Sequence, residues 1–269
     1  MATQYLSAQE MQDIIQYPTS HDIEWPTALN KKIALSWTKF QTFDQCPRKY
    51  RDQYLLGLVP YVETPVLKWG NDLHKAMELY ITRGTPLPPN MRQFKPVADA
   101  LLDRVEEFRA EGKLKVDLFA EQKWAIDLTG RACGYFDKNV WIRGQADVGY
   151  GTRVSLKTLD WKTGKGKYPK PEQLELMALL AVARPELSHY TRVDGMLMFL
   201  EAGFPVRLSV DTTPGLAYRD LLLKWQRRAL RILDYIQRDY WPENSTPLCG
   251  WCDVTSCPEN TRDQRLRRV

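Results

Sequence analysis

Apolar residues in the first part of the chain recur at helical spacing, and beyond residue 113 the period shortens to alternation. Trp37, Phe40, Phe43, Tyr50 and Tyr54 drift round one side of a helix that Ser36 is placed to cap and that Pro47 kinks or breaks, with Cys46 inside it. Residues 66–83 put Leu67, Leu73, His74, Met77, Tyr80 and Ile81 on one stripe, which turns His74 inward; Gly84 and the prolines at 86, 88 and 89 end that helix. A third helix is predicted over 92–111, closed by Gly112. Strands are predicted over 119–128, 139–150, 153–162, 190–200 and 204–210, with a helix over 171–183. The last helix, over 214–240, has an apolar stripe of Leu222, Trp225, Ala229, Ile232, Leu233 and Ile236 and stops before Pro242. Its neighbouring face carries Lys224, Arg227, Arg228 and Arg231, ordinarily a solvated face and alternatively a track for nucleic-acid phosphates.

This order predicts an α/β fold with a central mixed β-sheet flanked by helices. Residues 1–35, with Pro18, Pro26 and few periodic apolar positions, read as a loosely packed leader. A helical part over 36–112, a core over 113–212 and a C-terminal helix with a cysteine tail over 213–269 complete the expected organisation. The chain of 269 residues is 43% hydrophobic, enough for a substantial core, and no apolar run approaches the roughly 20 residues that span a bilayer. The N-terminus lacks the basic lead and apolar stretch of a secretory signal, so no membrane role and a cytoplasmic location are expected. There the five cysteines read as thiols or metal ligands rather than disulfides. A net charge of +5 mildly favours a polyanionic partner.

Candidate chemistry gathers in the middle strands. Alternation brings Asp160 and Lys162 of Leu159-Asp160-Trp161-Lys162-Thr163-Gly164 to one face, about 7 Å apart along the strand. Asp147 lies near the end of the preceding strand, in Gly144-Gln145-Ala146-Asp147. If the two strands pair as a hairpin through Gly149-Tyr150-Gly151-Thr152, both aspartates can approach one hard cation. Glu121, at the start of the first strand, offers a third carboxylate. An oxygen-rich set suits Mg²⁺ or Mn²⁺, and an imidazole from His74 leans it toward Mn²⁺. Phosphodiester hydrolysis needs such a cation to stabilise phosphoryl charge, with a lysine to orient water or neutralise developing charge. An isolated Asp-x-Lys is more often a surface pair, and an inward histidine is more often a hydrogen-bonded core residue.

Cys249-Gly250-Trp251-Cys252 is a C-x2-C knuckle with Cys257 close behind, so three thiols can converge from one loop, and Cys46 would complete a four-cysteine set from far upstream. Spacing alone does not separate tetrahedral Zn²⁺ from an iron–sulfur cluster. Either would join the N- and C-terminal segments. Cys133 is left over and reads as a buried small apolar residue.

Taken in order, Leu35-Ser36-Trp37-Thr38-Lys39-Phe40, Cys46-Pro47-Arg48-Lys49-Tyr50, Gly70-Asn71-Asp72-Leu73-His74, Gly144-Gln145-Ala146-Asp147, Asp160-Trp161-Lys162-Thr163-Gly164, Gln173-Leu174-Glu175-Leu176 and the cysteine trio resemble the RecB-like branch of the PD-(D/E)XK nuclease superfamily. The likeness is greatest to single-domain exonucleases related to the AddB nuclease domain and to CRISPR-adaptation nucleases, which carry an iron–sulfur cluster. The resemblance implies a restriction-endonuclease-like core. It makes His74, Asp147, Asp160 and the backbone carbonyl of Trp161 ligands of Mg²⁺ or Mn²⁺, and Lys162 the catalytic lysine. Glu121 matches a carboxylate position less closely. Gln173 matches a glutamine that holds the DNA end or the catalytic lysine, although the aromatic often found four positions later is Met177 here.

It further implies a 4Fe-4S cluster on Cys46, Cys249, Cys252 and Cys257, and a deoxyribonuclease acting as an exonuclease on single-stranded DNA ends or overhangs. Repair, recombination, phage genome processing and CRISPR adaptation, in a bacterial, archaeal or phage-infected cell, are the settings it allows. Recombination, helicase or CRISPR-adaptation proteins are the corresponding partners. Lys165, Lys167 and Tyr168 follow the catalytic lysine where phosphates and a base would pass, and an ordinary solvated loop explains them too. Arg262, Arg265, Arg267 and Arg268 form a basic tail, either a phosphate-binding extension or a disordered end. Two competing readings are a catalytically silent DNA-end-binding scaffold with a structural zinc or iron–sulfur site, and a zinc-dependent nucleic-acid-binding module.

Overall fold

The computed structural model describes residues 34–262, so almost all of the leader and the end of the basic tail lie outside the described residues. By contacts the described chain forms two compact units: Glu63–Trp225, and the segment up to Val62 together with the chain from Gln226 onward.

The Glu63–Trp225 unit is built on five strands, β1 (Leu114–Ile126), β2 (Ile142–Thr152), β3 (Leu156–Lys162), β4 (Arg192–Phe199) and β5 (Phe204–Asp211), in that spatial order. β1–β2, β2–β3 and β4–β5 are antiparallel and β3–β4 is parallel, which makes the sheet mixed as expected. β1 begins five residues before its predicted start. Its first residues alternate half-buried Leu114, Val116 and Leu118 with exposed Lys115 and Asp117, the pattern of an edge strand with one wet face.

The predicted turn through Gly149-Tyr150-Gly151-Thr152 is corrected by the structure, in which β2 runs on to Thr152 and the reversal is made at residues 153–155. There the Thr152 hydroxyl oxygen accepts from the backbone N–H groups of Val154 and Ser155, each at 3.2 Å. Gly149 and Gly151 are packing glycines: a Cβ would lie 2.4 Å from the Phe119 ring at the first and 2.0 Å from the Tyr190 hydroxyl at the second. Glycine that signals a turn in the sequence serves close approach in the fold.

In chain order, the helices begin with α1 (Trp37–Gln45) and α2 (Pro47–Tyr50) in the other unit, followed here by α3 (Pro65–Arg83), α4 (Lys95–Ala110) and α5 (Glu172–Val182). The Thr64 side chain accepts from the Leu67 N–H at the start of α3, and left-handed Gly84 closes it, its N–H donating to the Tyr80 carbonyl. Leu73, Met77 and Ile81 of its stripe are buried as expected, whereas Leu67 is exposed. The third predicted helix is split into a 3-10 turn over Pro89–Phe94 and α4, with Gly112 left-handed beyond the end.

α3 and α4 press Leu73, Met77, Ile81, Leu101 and Val105 against Val148, Tyr150, Leu159 and Trp161 of one sheet face. α5 lies on the opposite face, because Leu174 packs with Leu197 and Phe199, which alternate along β4 with the Met196 and Met198 that meet the α3–α4 cluster. That sandwich fixes which way Asp147, Asp160 and Lys162 can point.

In the other unit Ser36 sits at the α1 N-cap in extended conformation without a side-chain capping bond. Cys46 is the break rather than a residue within one helix: its φ of −164° separates α1 from α2, which Pro47 opens and a π-helical turn over Arg51–Leu55 extends. From Gln226 the unit contains the second half of α6 (Leu216–Gln237) and a 3-10 turn over Pro247–Trp251. Phe43 meets Tyr235 edge-on at 4.9 Å between centroids, and Tyr50 stacks on Trp241. Arg48 pairs with Glu243 at 2.5 Å, and the Asn244 side-chain amide donates to the Gln45 carbonyl at 2.8 Å.

Met77→Ala, at the centre of the α3–sheet contact, is expected to lower the unfolding free energy by about 2–5 kcal/mol. Val66→Ala, on the same helix but exposed, is expected to stay within about 0.5 kcal/mol of the parent. Urea denaturation of the two variants checks the pair.

Candidate metal and catalytic centre

The centre is assembled from β1, β2, β3 and α3. Asp147 stands on β2 one residue before the last β2–β3 pair, Val148 with Leu159, so its carboxylate reaches across the parting strands. Its Oδ2 accepts the backbone N–H of Trp161 at 2.8 Å and lies 3.2 Å from Nδ1 of His74, which α3 delivers beside buried Leu73. Burial alone would lower the His74 pKa; the hydrogen bond and the charge of Asp147 reverse that and raise it.

Glu121 joins them from β1. It lies between the regular pairs Ala120–Val148 and Gln122–Ala146, yet its φ is +54°, a left-handed conformation that costs a non-glycine residue roughly 1–2 kcal/mol. The side-chain amide of Gln145 donates to its Oε2. Burial, then the negative charges of Asp147 and Glu78, raise the Glu121 pKa. Ligand atoms of His74, Glu121 and Asp147 lie within 4.8 Å of one another, close enough to share one cation. An imidazole and two carboxylates fit a small divalent ion such as Mn²⁺ or Mg²⁺.

Asp160, buried on β3, is turned to other partners. Its Oδ2 is 2.6 Å from Lys162 Nζ, and its Oδ1 accepts from the Gln173 side chain at 2.6 Å. The Oδ2 oxygen is buried, and the lysine ammonium is the charge that meets it. Burial first, and the neighbouring Asp147 charge second, push the Asp160 carboxyl up to about 6 against the pull of Lys162.

The structure therefore brings His74, Glu121 and Asp147 into one tight group and Asp160, Lys162 and Gln173 into an adjoining one. Gln173 touches the carboxylate of Asp160, whereas the resemblance had offered the DNA end or the lysine. Met177, where the family often has an aromatic, is buried in α5. Sequence reasoning missed Gln145 and Glu78. Gln145 is two residues before Asp147 on the same strand face, and Glu78 one helical turn beyond His74, held by Lys75 at 2.5 Å.

Lys165, Lys167 and Tyr168 lie in the loop between β3 and α5, with the Tyr168 ring exposed and Lys167 Nζ 5.3 Å from its centroid. Arg227 and Arg228 belong to the other unit. Arg228 is engaged there by Asp44 and by the Trp37 and Phe40 rings, and Arg231 by the Phe43 and Tyr235 rings; Lys224 is paired with Glu175. Most of the predicted basic stripe is thus spent within the protein.

Cys46, Cys249, Cys252 and Cys257 are all free, half-buried, and line one cavity of about 150 Å³. Burial raises the Cys257 pKa, with Arg48 opposing and Cys46 adding to the rise. Among the described residues no three of these sulfurs come within 4.8 Å of one another. Cys133 is elsewhere and half-buried, less enclosed than expected.

Residues 34–258 match the family model of the PD-(D/E)XK nuclease superfamily. The chain belongs to that superfamily. Its members are metal-dependent nucleases, and the mixed sheet flanked by helices is the restriction-endonuclease-like core anticipated from the sequence. No curated protein matches. A solved structure described as "Crystal structure of SSO0001" is 14% identical, with a TM-score of 0.42 over 86% of this chain and 89% of that one. Among the described residues no helix is long and apolar enough to cross a membrane.

The raised pKa values of Asp160, Glu121 and His74 all favour the protonated groups in the metal-free fold. For each, the stability gained is complete below the unfolded pKa and is lost as pH rises through the folded one. A divalent ion needs the deprotonated forms. The rise in melting temperature on adding Mn²⁺ to chelator-treated protein is therefore expected to grow from pH 5 to pH 8, and differential scanning calorimetry at stepped pH checks it.

Proposed function

We propose that this protein is a Mg²⁺- or Mn²⁺-dependent deoxyribonuclease of the RecB/AddB-like kind, hydrolysing phosphodiester bonds as an exonuclease on single-stranded DNA ends or overhangs. The observation that carries the reading is the convergence of His74, Glu121 and Asp147 in one tight group with the Asp160–Lys162 pair adjoining it. Three groups suited to a divalent cation, with the Asp160 carboxylate and the Lys162 ammonium beside them, match what displacement at phosphorus requires.

His74, Glu121, Asp147 and Asp160 would hold the cation, together with the backbone carbonyl of Trp161. When bound, the ion supplies Lewis-acid stabilisation of the phosphoryl oxygens and acidifies water. Lys162, with its side chain partly open to solvent, orients the attacking water and offsets negative charge on the phosphoryl group. Gln173 keeps Asp160 turned toward the lysine. Lys165 and Lys167 contact phosphates, and Tyr168 offers an exposed ring on which a base can stack. Arg227 is a further candidate contact, while Arg228 would first have to leave Asp44. The preference for single-stranded ends, the cytoplasmic location and the setting in repair, recombination, phage genome processing or CRISPR adaptation rest on the resemblance alone.

The four cysteines would hold a 4Fe-4S cluster. The four thiols line one cavity, which suits a shared metal centre, and the resemblance favours the cluster over zinc. Its role is structural, linking α1–α2 to the C-terminal loop beside the Arg48–Glu243 pair.

Lys162→Ala and Asp160→Ala are expected to cut the cleavage rate by on the order of 10²–10³-fold, with the far-ultraviolet circular dichroism unchanged. The assay uses 5′- and 3′-labelled single- and double-stranded DNA with Mg²⁺ or Mn²⁺. A Lys162→Ala protein that degrades these substrates at the parental rate would remove the proposed centre. Anaerobically purified protein is expected to be brown and to contain iron and sulfide, with Cys46→Ser losing both; colourless protein containing zinc would overturn the cluster.

A further inference from the structure

We propose that Gln145 is a positioning residue that holds Glu121 in the cation site; the inference rests on the nuclease reading above, in which Glu121 is a ligand. Glu121 is the irregular residue of an otherwise regular stretch. β1 pairs with β2 continuously on both sides of it, from Phe119–Gly149 to Ile126–Ile142, and a φ of +54° is neither required by a turn nor eased by glycine. Something must hold a side chain launched from such a backbone.

The electrostatics around Glu121 act both ways: burial and the charges of Asp147 and Glu78 disfavour its carboxylate, while His74 and Lys75 favour it. Asp147 and Glu78 are like charges acting on it, and the Glu78 carboxylate is already paired with Lys75. Among the described residues the side chain that hydrogen-bonds the Glu121 carboxylate is the Gln145 amide, which can only donate to it. Gln145 stands on β2 opposite Lys123, two residues before Asp147, so alternation puts its side chain on the same face as the Asp147 carboxylate. One strand thereby supplies both a ligand and the group that aims a second ligand from its neighbour. The amide is neutral, so it fixes Glu121 without the competition for the carboxylate that a lysine or arginine would bring.

Partners that orient metal ligands from behind change metal affinity by about 10–100-fold when they are removed. Mn²⁺ is titrated into DNA-free, chelator-treated protein and free ion is read by electron paramagnetic resonance, for the parent, Gln145→Leu, Gln145→Asn, Glu121→Gln and the Glu121→Gln/Gln145→Leu double variant. Gln145→Leu is expected to weaken Mn²⁺ binding about tenfold, which is about 1.4 kcal/mol, and Gln145→Asn, which keeps the amide on a shorter arm, to weaken it less. In the Glu121→Gln background the Gln145→Leu change is expected to add nothing, because the residue it positions has gone.

Parental affinity in a folded Gln145→Leu protein overturns the inference, as does a loss that is equally large in the Glu121→Gln background, which marks a general structural role. If Gln145→Leu does not fold, Gln145→Asn is compared in the same two backgrounds with the same criteria. A parent that binds no Mn²⁺ overturns both this inference and the nuclease reading. A parent that binds Mn²⁺ but cleaves no DNA overturns the nuclease reading alone, and the titration still decides Gln145.

Discussion

The carboxylate of Asp147 ties one end of the sheet to the helix beside it. It receives the Trp161 backbone N–H where β2 and β3 have stopped pairing, and it holds the His74 imidazole arriving on α3. A buried acid in this position needs donors, and the Trp161 N–H and the His74 imidazole come from different elements. Trp161 is itself locked into the α3–α4 core, and so is Leu73 beside His74. The packing that buries these neighbours therefore fixes the distance between imidazole and carboxylate.

Around that tie the site stores electrostatic tension. Asp160, Glu121 and Asp147 crowd one region, and burial and mutual repulsion raise the pKa values of the first two. Lys162 pairs with Asp160 and His74 with Asp147, while the neutral amides of Gln145 and Gln173 sit on Glu121 and Asp160. A divalent cation bound there would offset the remaining carboxylate repulsion. The left-handed backbone at Glu121 is a second cost borne at the same place. Both costs are met by the α3–α4 and α5 layers, whose apolar contacts lie away from the polar groups.

The cysteine pocket follows a different logic. Its cavity is framed by hydrogen bonds and an ion pair that bring the α1–α2 break against the C-terminal loop. Pro47 at the first position of α2 and the extended backbone of Cys46 point that thiol out of the helix rather than along it. A continuous helix through residue 46 would have given the sulfur a different exit.

The sequence by itself determined the order of helices and strands, because period and punctuation are local: the stripe of α3, its Gly84 stop and the alternation of β3 appear in the fold with boundaries shifted by a few residues. It also marked Asp147, Asp160, Lys162 and His74, whose types and spacing carry the family pattern. Only the tertiary structure decided how these residues are shared. Whether Asp160 faces Lys162 or the His74 group, whether Gln173 holds an acid or a lysine, and which amide steadies Glu121 depend on rotamers chosen by packing between elements distant in sequence. Gly149 and Gly151 make the same point about the backbone. Chain-local propensity reads them as a turn, while their use comes from Phe119 and Tyr190 arriving across the sheet. Local rules set what each segment can be; long-range contacts, absent from any short window, set which carboxylate meets which partner.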